Sequence, residues 1–293
     1  MSVIVITYNS SKTVLETLDS IASQTYQSIE LIVSDDCSTD DTINIVKAWL
    51  NRFGDRFKRV KLISVNKNTG VCGNLNRALK ECHGQWIKEI AADDILLPNC
   101  IDDFISFVEK NPDVSWASSY VSVFDKRFEK DRCINQKFVV SRAFFEKQAT
   151  EQLHSLAAWN KISAPSLFIK ISLFSAIGDY DETYGFEDYV FSLKALENGY
   201  KCYFLDKETV GYRVGDSTFN SINKLFNYSF LLKCRKFQVE RCFKYLTKRQ
   251  ILWTKILWCF EDLIVKLKCN IKNKFMVLIY SRFTKFCKRL GNI

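Results

Sequence analysis

Three prolines and ten glycines in 293 residues leave no room for a low-complexity linker. The eleven cysteines include no C-x-x-C pair and no repeated spacing, which excludes a disulfide framework and a zinc site as organising features. So many thiols point to reducing cytosol. Neither a basic n-region nor a small-residue cleavage site accompanies the opening apolar run Ser2–Ile6, so no secretory leader is expected. His83 and His154 have no partners at ligand or triad spacing and are expected to have ordinary structural or surface roles. Hydrolase, kinase and dinucleotide readings lack their motifs, because no G-x-S-x-G, Walker or G-x-G-x-x-G pattern occurs.

What is present is core material and an uneven charge. Hydrophobic residues make up 47% and charged residues 26%, enough to bury a substantial core. Of the 42 basic and 33 acidic residues, 220–293 hold 17 and 3, a net of +14. That leaves 25 and 30 on 1–219, a net of −5. The change near residue 220 is the expected boundary: 1–219 a catalytic domain, 220–293 a basic helical tail.

The first hundred residues alternate apolar β-type runs with helical periodicity. Val3–Ile6, Ile29–Val33, Val60–Val65 and Gln85–Ile90 read as strands. Between them, Val14, Leu15, Leu18, Ile21 and Ala22 mark one helix face, and Ser38 or Thr39 is placed to cap the next helix, with Asp40 and Asp41 in its first turn. Val71–Glu81 reads as a third helix, and Pro98 stands where a fourth begins. This alternation predicts βαβ units and a mainly parallel sheet flanked by helices. Ligands of such sheets bind at the carboxyl ends of the strands. The polar residues collect there: Tyr8 and Asn9, Asp35 and Asp36, Asp93 and Asp94. Val114–Phe124 reads as a strand, 125–160 has no clear period, and a strand is expected at Tyr200–Leu205.

Three acidic constellations are candidates for chemistry. Asp93-Asp94 after a buried strand suits a divalent cation bridged to a diphosphate, or else a helix-start carboxylate pair. Asp35 and Asp36 precede the helix cap, where a carboxylate is placed to accept the imino proton of a uracil or another base. Glu187-Asp188 at a helix start is a general base or a dipole partner.

The segments VIVITYNS…SIASQTY…ELIVSDDCSTDDT (within Ser2–Thr42), NTGVCGNLNRAL…GQWIKEIAADD (Asn68–Asp94) and IGDYDETYGFEDYVFSLKALENGYKCYFLDKETVGYR (Ile177–Arg213) resemble the inverting family 2 glycosyltransferases. The resemblance is to the GT-A fold and to enzymes of bacterial polysaccharide and O-antigen synthesis. It covers about residues 1–215 and implies a nucleotide-sugar donor, UDP-sugar favoured, and a saccharide or lipid-linked saccharide acceptor. Thr7, Tyr8 and Asn9 then shape the nucleotide pocket, and Asp36 bonds the base. Asn76 and Arg77 reach the nucleotide or diphosphate, Asp93 contacts the ribose or sugar, and Asp94 binds Mn2+ or Mg2+. Asp188 is the catalytic base, with Glu187 beside it near the acceptor. Relatives often carry an Asp where this chain has Ala91, and a His soon after the Tyr-Arg pair. Here Tyr212-Arg213-Val214 is followed by Gly215 and Asp216.

Charges at Lys255, Glu261 and Asp262 interrupt the tail's apolar runs well short of the ~20 residues a spanning helix needs. In 250–268 the polar positions 254, 255, 261, 262, 266 and 268 are expected to share an outer face. Three readings of the tail stand: a solvated helical cover, a nucleic-acid contact, and peripheral attachment to the anionic inner face of the cell membrane. The last is preferred, no nucleic acid is expected, and the chain is placed in the cytoplasm. The rival functions are a nucleotidyltransferase making nucleotide sugars and a non-catalytic partner that keeps the fold.

Overall fold

The computed structural model describes residues 1–214 and 224–291. It divides into two compact units, Met1–Gln152 with Lys161–Arg213, and Leu153–Asn160 with the chain from Val214 onward. The boundary expected at residue 220, like Gly215 and Asp216, lies outside the described residues.

The first unit is built on a nine-stranded sheet. Strands β1 (Ser2–Thr7), β2 (Glu30–Asp35), β3 (Arg59–Ser64) and β4 (Trp86–Ala91) come from the sequence-predicted runs. They pair in parallel in the order β3-β2-β1-β4. Helices α1 (Val14–Ala22), α2 (Thr42–Phe53) and α3 (Gly70–Leu79) form the crossovers. Every residue of β2 is buried, its apolar centre Leu31–Val33 as a parallel strand covered on both faces requires.

Beyond β4 the sheet becomes antiparallel. The two-residue β5 (Ile95–Leu96) precedes α4 (Cys100–Lys110) and the long β6 (Trp116–Asp125). The region 125–160 then supplies β7 (Cys133–Phe138), the five-residue α5 (Arg142–Glu146) and α6 (Ala149–Ala158). After these come β8 (Phe168–Lys170), α7 (Ile171–Ile177), α8 (Asp188–Glu197) and β9 (Tyr203–Val214). β8 pairs with β4 and β6, β7 with β6, and β5 with β9, all antiparallel. In the core, Trp86 and Phe104 both stack on Phe168, with ring centroids at 5.0 and 4.6 Å.

Three local expectations are corrected. Ser38 and Thr39 do not cap α2; Asp40 accepts the Thr42 N–H, while Ser38 and Thr39 tie their loop to Asn9. Leu15 is 44% exposed rather than on the buried face of α1. The strand expected at Tyr200–Leu205 is the twelve-residue β9, whose middle Asp206 and Lys207 are exposed and mask its apolar signal.

The second unit contains α9 (Tyr228–Phe237), α10 (Lys248–Lys266) and α11 (Lys274–Gly291). The α10 face is also corrected: Thr254 and Glu261 turn inward with Leu257 and Ile264. Burial of Glu261 follows from its partners, Arg235 at 2.9 Å and the Tyr280 hydroxyl at 2.8 Å. Arg235 also donates to Asp262 and to the Trp258 carbonyl, so one guanidinium joins α9 to α10. Arg235→Ala is expected to destabilise this unit by about 3–5 kcal/mol, because it strands the Glu261 charge in the core. Calorimetry checks it, and the double variant Arg235→Met/Glu261→Leu should recover most of the loss.

Candidate active site

The carboxyl ends of the parallel strands carry the candidate residues together. Register places Thr7 beside Asp35 and Ile6 beside Ala91, so the loops after β1, β2 and β4 leave from one edge. The buried Thr7 hydroxyl donates to Asp35 at 2.7 Å, and Asp35 also accepts the Ser38 N–H at 2.9 Å. Tyr8 is 52% exposed over this edge. Asn9 adopts φ 51 and its side chain accepts the Thr39 N–H at 2.8 Å, closing the two loops on each other.

Asp36 sits 2% exposed at the start of α3. One oxygen accepts the N–H groups of Thr69 and Gly70 at 2.9 and 2.7 Å; the other accepts the Thr69 hydroxyl at 2.8 Å and the Arg77 guanidinium at 2.6 Å. Gly70 makes this possible with φ 79, which leaves its N–H pointing at the carboxylate. The carboxylate's four lone-pair positions are therefore all in use. Arg77 retains a buried Nε with no partner. Asn76 exchanges bonds of 2.9 Å with the main chain of Tyr180 and donates to Glu182, so it fastens α3 to the segment before α8.

Asp93 and Asp94 are held by the end of β9. The Arg213 N–H donates to the Asp94 carboxylate at 2.8 Å, and its guanidinium donates to the Asp93 carbonyl, also at 2.8 Å. That guanidinium further bonds the Lys126 carbonyl and Glu16, and lies 4.3 Å over the Phe128 ring. From the other side, the Thr17 hydroxyl donates to the Asp94 carbonyl at 2.6 Å. Asp94 is 3% exposed, and burial together with the neighbouring Asp93 charge holds its carboxyl well above the usual range. Asp93 is raised chiefly by burial.

Tyr212 links this pair to the third constellation. Burial pushes its phenol up to about 12, reinforced by the charges of Asp94, Asp93 and Asp188. Carboxylates 94 positions apart in sequence thus act on one side chain. Asp188 opens α8 and accepts the Tyr189 N–H, while half-buried Glu187 precedes it. Burial and the Asp188 charge push Glu187 up to about 8.

The sequence reading passed over Lys88, Glu89 and Tyr180. Lys88 is fully buried and donates to the carbonyls of Glu89, Pro165 and Leu167. Glu89 accepts the Tyr180 hydroxyl and is pushed up to about 7 by burial. Two charged residues inside an otherwise apolar strand were the available signal. His83 stands at the amino end of the sheet, 3.0 Å from Glu30, and takes no part in the site.

Residues 2–166 match the family described as glycosyl transferase family 2. The chain belongs to glycosyltransferase family 2. EpsE of Bacillus subtilis is 34% identical over 126 residues, 43% of this chain and 44% of that protein. WfaP of Escherichia coli, a UDP-Glc:alpha-D-GlcNAc-diphosphoundecaprenol beta-1,3-glucosyltransferase, is 29% identical over 236 residues, 80% of this chain and 85% of that one. The relatives matched at 31–35% identity over 123–186 residues are spanned for 37–54% of their own lengths. Staphylococcus aureus TarS 1–349 in complex with UDP superposes with a TM-score of 0.55 at 25% identity, covering 73% of this family 2 chain and 60% of TarS 1–349. PcManGT of Pyrobaculum calidifontis, solved with GDP-Man and Mn2+, shares the fold at 20% identity and a TM-score of 0.55.

Proposed function

We propose that this family 2 chain is an inverting glycosyltransferase of surface polysaccharide synthesis, moving a sugar from a UDP-sugar to a saccharide or lipid-linked saccharide acceptor. The observation that carries the reading is the Asp93-Asp94 loop, bonded by Arg213 at the carboxyl edge of the sheet, with the Asp188 charge acting on the neighbouring Tyr212 phenol. A UDP-bound structural neighbour and a relative acting on a diphosphoundecaprenol-linked sugar support the donor and acceptor classes.

The Asp93-Asp94 pair fits a divalent cation. Among the described residues, the only hydrogen-bond donor to the Asp94 carboxylate is a main-chain N–H, so its buried charge is undercompensated. No cluster of three His, Cys, Asp or Glu able to hold a metal occurs among the described residues. The hard carboxylate of Asp94, with Asp93 beside it, would hold Mg2+ or Mn2+. When bound, the cation supplies charge stabilisation for the departing nucleoside diphosphate.

The chain's own residues do the rest. Thr7, Tyr8 and Asn9 border the nucleotide pocket. Asp36 accepts the base N–H by releasing Arg77, whose unpartnered Nε and freed guanidinium then turn to the diphosphate. Asn76 holds the 180–182 segment against α3 and, beside Arg77, faces the nucleotide or diphosphate of the donor. Asp93 contacts the ribose or sugar. Asp188 takes the proton of the acceptor hydroxyl as its oxygen bonds to the anomeric carbon; the bond to the diphosphate breaks on the opposite face, inverting that centre. Peripheral attachment to the inner face of the cell membrane, through 220–293, brings the enzyme to a lipid-linked acceptor.

A non-catalytic partner of the same fold is the second reading, favoured by the saturated Asp36 carboxylate. Thermal shift with UDP-, GDP- and dTDP-sugars, with and without Mn2+, separates the two. Donor at 100 times its Kd should add about 2.7 kcal/mol of stability, with UDP-sugar plus metal the best combination. No shift with any nucleotide, with or without metal, sinks the catalytic reading.

A further inference from the structure

The second unit carries an apolar surface that its own core leaves outside. We propose that the turn joining α10 to α11 together with its flanking helix ends, residues 263–278, is an insertion element that seats in an anionic lipid surface without crossing it. This deepens the attachment reading above, and rests on it, by naming the segment that enters the lipid.

Leu263, Leu267, Ile271, Phe275, Val277 and Leu278 are 43–70% exposed, while Ile264 between them faces the core. Lys266, Lys268, Lys272 and Lys274 are exposed among these side chains, and no acidic residue occurs in 263–278. One exposed leucine is ordinary. Six large exposed apolar side chains on one turn and the helix ends that flank it, interleaved with cations of a single sign, match an acyl boundary beneath anionic headgroups. The lysine stems are long enough to lie along apolar surface while their ammonium groups reach phosphate. Among the described residues no helix is long and apolar enough to cross a membrane, so the element lies on the surface.

The turn has a defined shape. The Lys268 N–H donates to the Val265 carbonyl at 3.0 Å and the Cys269 N–H to the Ile264 carbonyl at 2.9 Å, the pair of bonds that closes a helix when its next residue is left-handed. That residue is usually glycine, yet here Lys268 adopts φ 56, keeping a cation at the tip against backbone preference. Asn270 locks the turn to 225–226, accepting the Leu225 N–H and donating to the Phe226 carbonyl, each at 3.0 Å. The Asn273 side chain accepts the Met276 N–H at 2.8 Å and starts α11.

The test is co-sedimentation of the full chain with phosphatidylcholine vesicles, with and without phosphatidylglycerol, beside melting curves. Wild type should bind the phosphatidylglycerol vesicles at least tenfold more tightly, and less so in high salt. Leu267→Ser/Phe275→Ser should weaken that binding at least tenfold without lowering the melting temperature. Lys268→Gly should weaken it about fivefold while raising the melting temperature, a pairing that a merely structural residue does not produce. Wild-type binding with all variants unchanged overturns the insertion element and leaves attachment by the rest of 220–293. Absence of wild-type binding overturns both. Dimers that dissolve in Leu267→Ser/Phe275→Ser, without vesicle binding, assign the turn to a second copy of the chain and overturn the proposal.

Discussion

Asp94→Asn should lower sugar transfer about 10³-fold while leaving the protein, free of metal and donor, at least as stable as wild type. The two halves have one cause. Asp94 is buried beside Asp93, and both burial and that neighbour disfavour its charge. An amide of the same shape keeps an oxygen for the Arg213 N–H, so β9 stays joined to the 93–94 loop. It removes the repulsion and, with it, the hard negative ligand. Donor consumption measured with Mn2+ reads the first half, and thermal melting without metal reads the second. Wild type stripped with chelator should behave like the variant in activity and regain it with Mn2+; the variant should not. An Asp94→Asn enzyme that retains metal-stimulated turnover would remove the pair from the proposed chemistry. A large loss of melting temperature would instead make Asp94 a structural anchor for β9.

The parallel half of the sheet was legible because buried parallel strands are apolar on both faces, so β1 and the centre of β2 stand out as runs. The acidic loops were legible for the same reason, as polar interruptions at the strand ends. Region 125–160 was not. β7 is exposed along its middle and α5 has only five residues, so neither shows a full period. The α10 face was misread because Glu261 is drawn inward by Arg235, 26 positions away, and helical periodicity has no record of such a partner. The site shows the same division. Position along the chain suggested that Asp36 contacts a ligand, but only the fold reveals that Thr69, Gly70 and Arg77 already occupy it. Likewise Glu187 and Asp188 read as adjacent acids, while the raised proton affinity of Glu187 depends on its burial beside the Asp188 charge.

The raised affinity of Glu187 leads to the second large effect. Asp188→Asn should reduce transfer about 10³-fold with donor binding preserved, the loss of a general base. Glu187→Gln should keep activity near pH 7 within about tenfold, because Glu187, pushed up to about 8, already holds its proton there. The pH dependence of stability distinguishes the pair further. The unfolded chain releases the Glu187 proton near its ordinary value of 4.5, and the native protein holds it up to about 8. Between those limits the native state binds more protons, so its stability falls as pH rises; below 4.5 the contribution is fully present, and above about 8 it is gone. Wild type should therefore lose on the order of 3 kcal/mol relative to Glu187→Gln between pH 5 and 8.5. Melting curves across that range read it as a gap that opens in favour of the glutamine variant at alkaline pH. The alkaline decline of wild-type turnover should flatten in the same variant, since the amide cannot ionise beside Asp188. Parallel pH curves for the two proteins would mean that Glu187 is ionised throughout, and that Asp188 works next to a second negative charge.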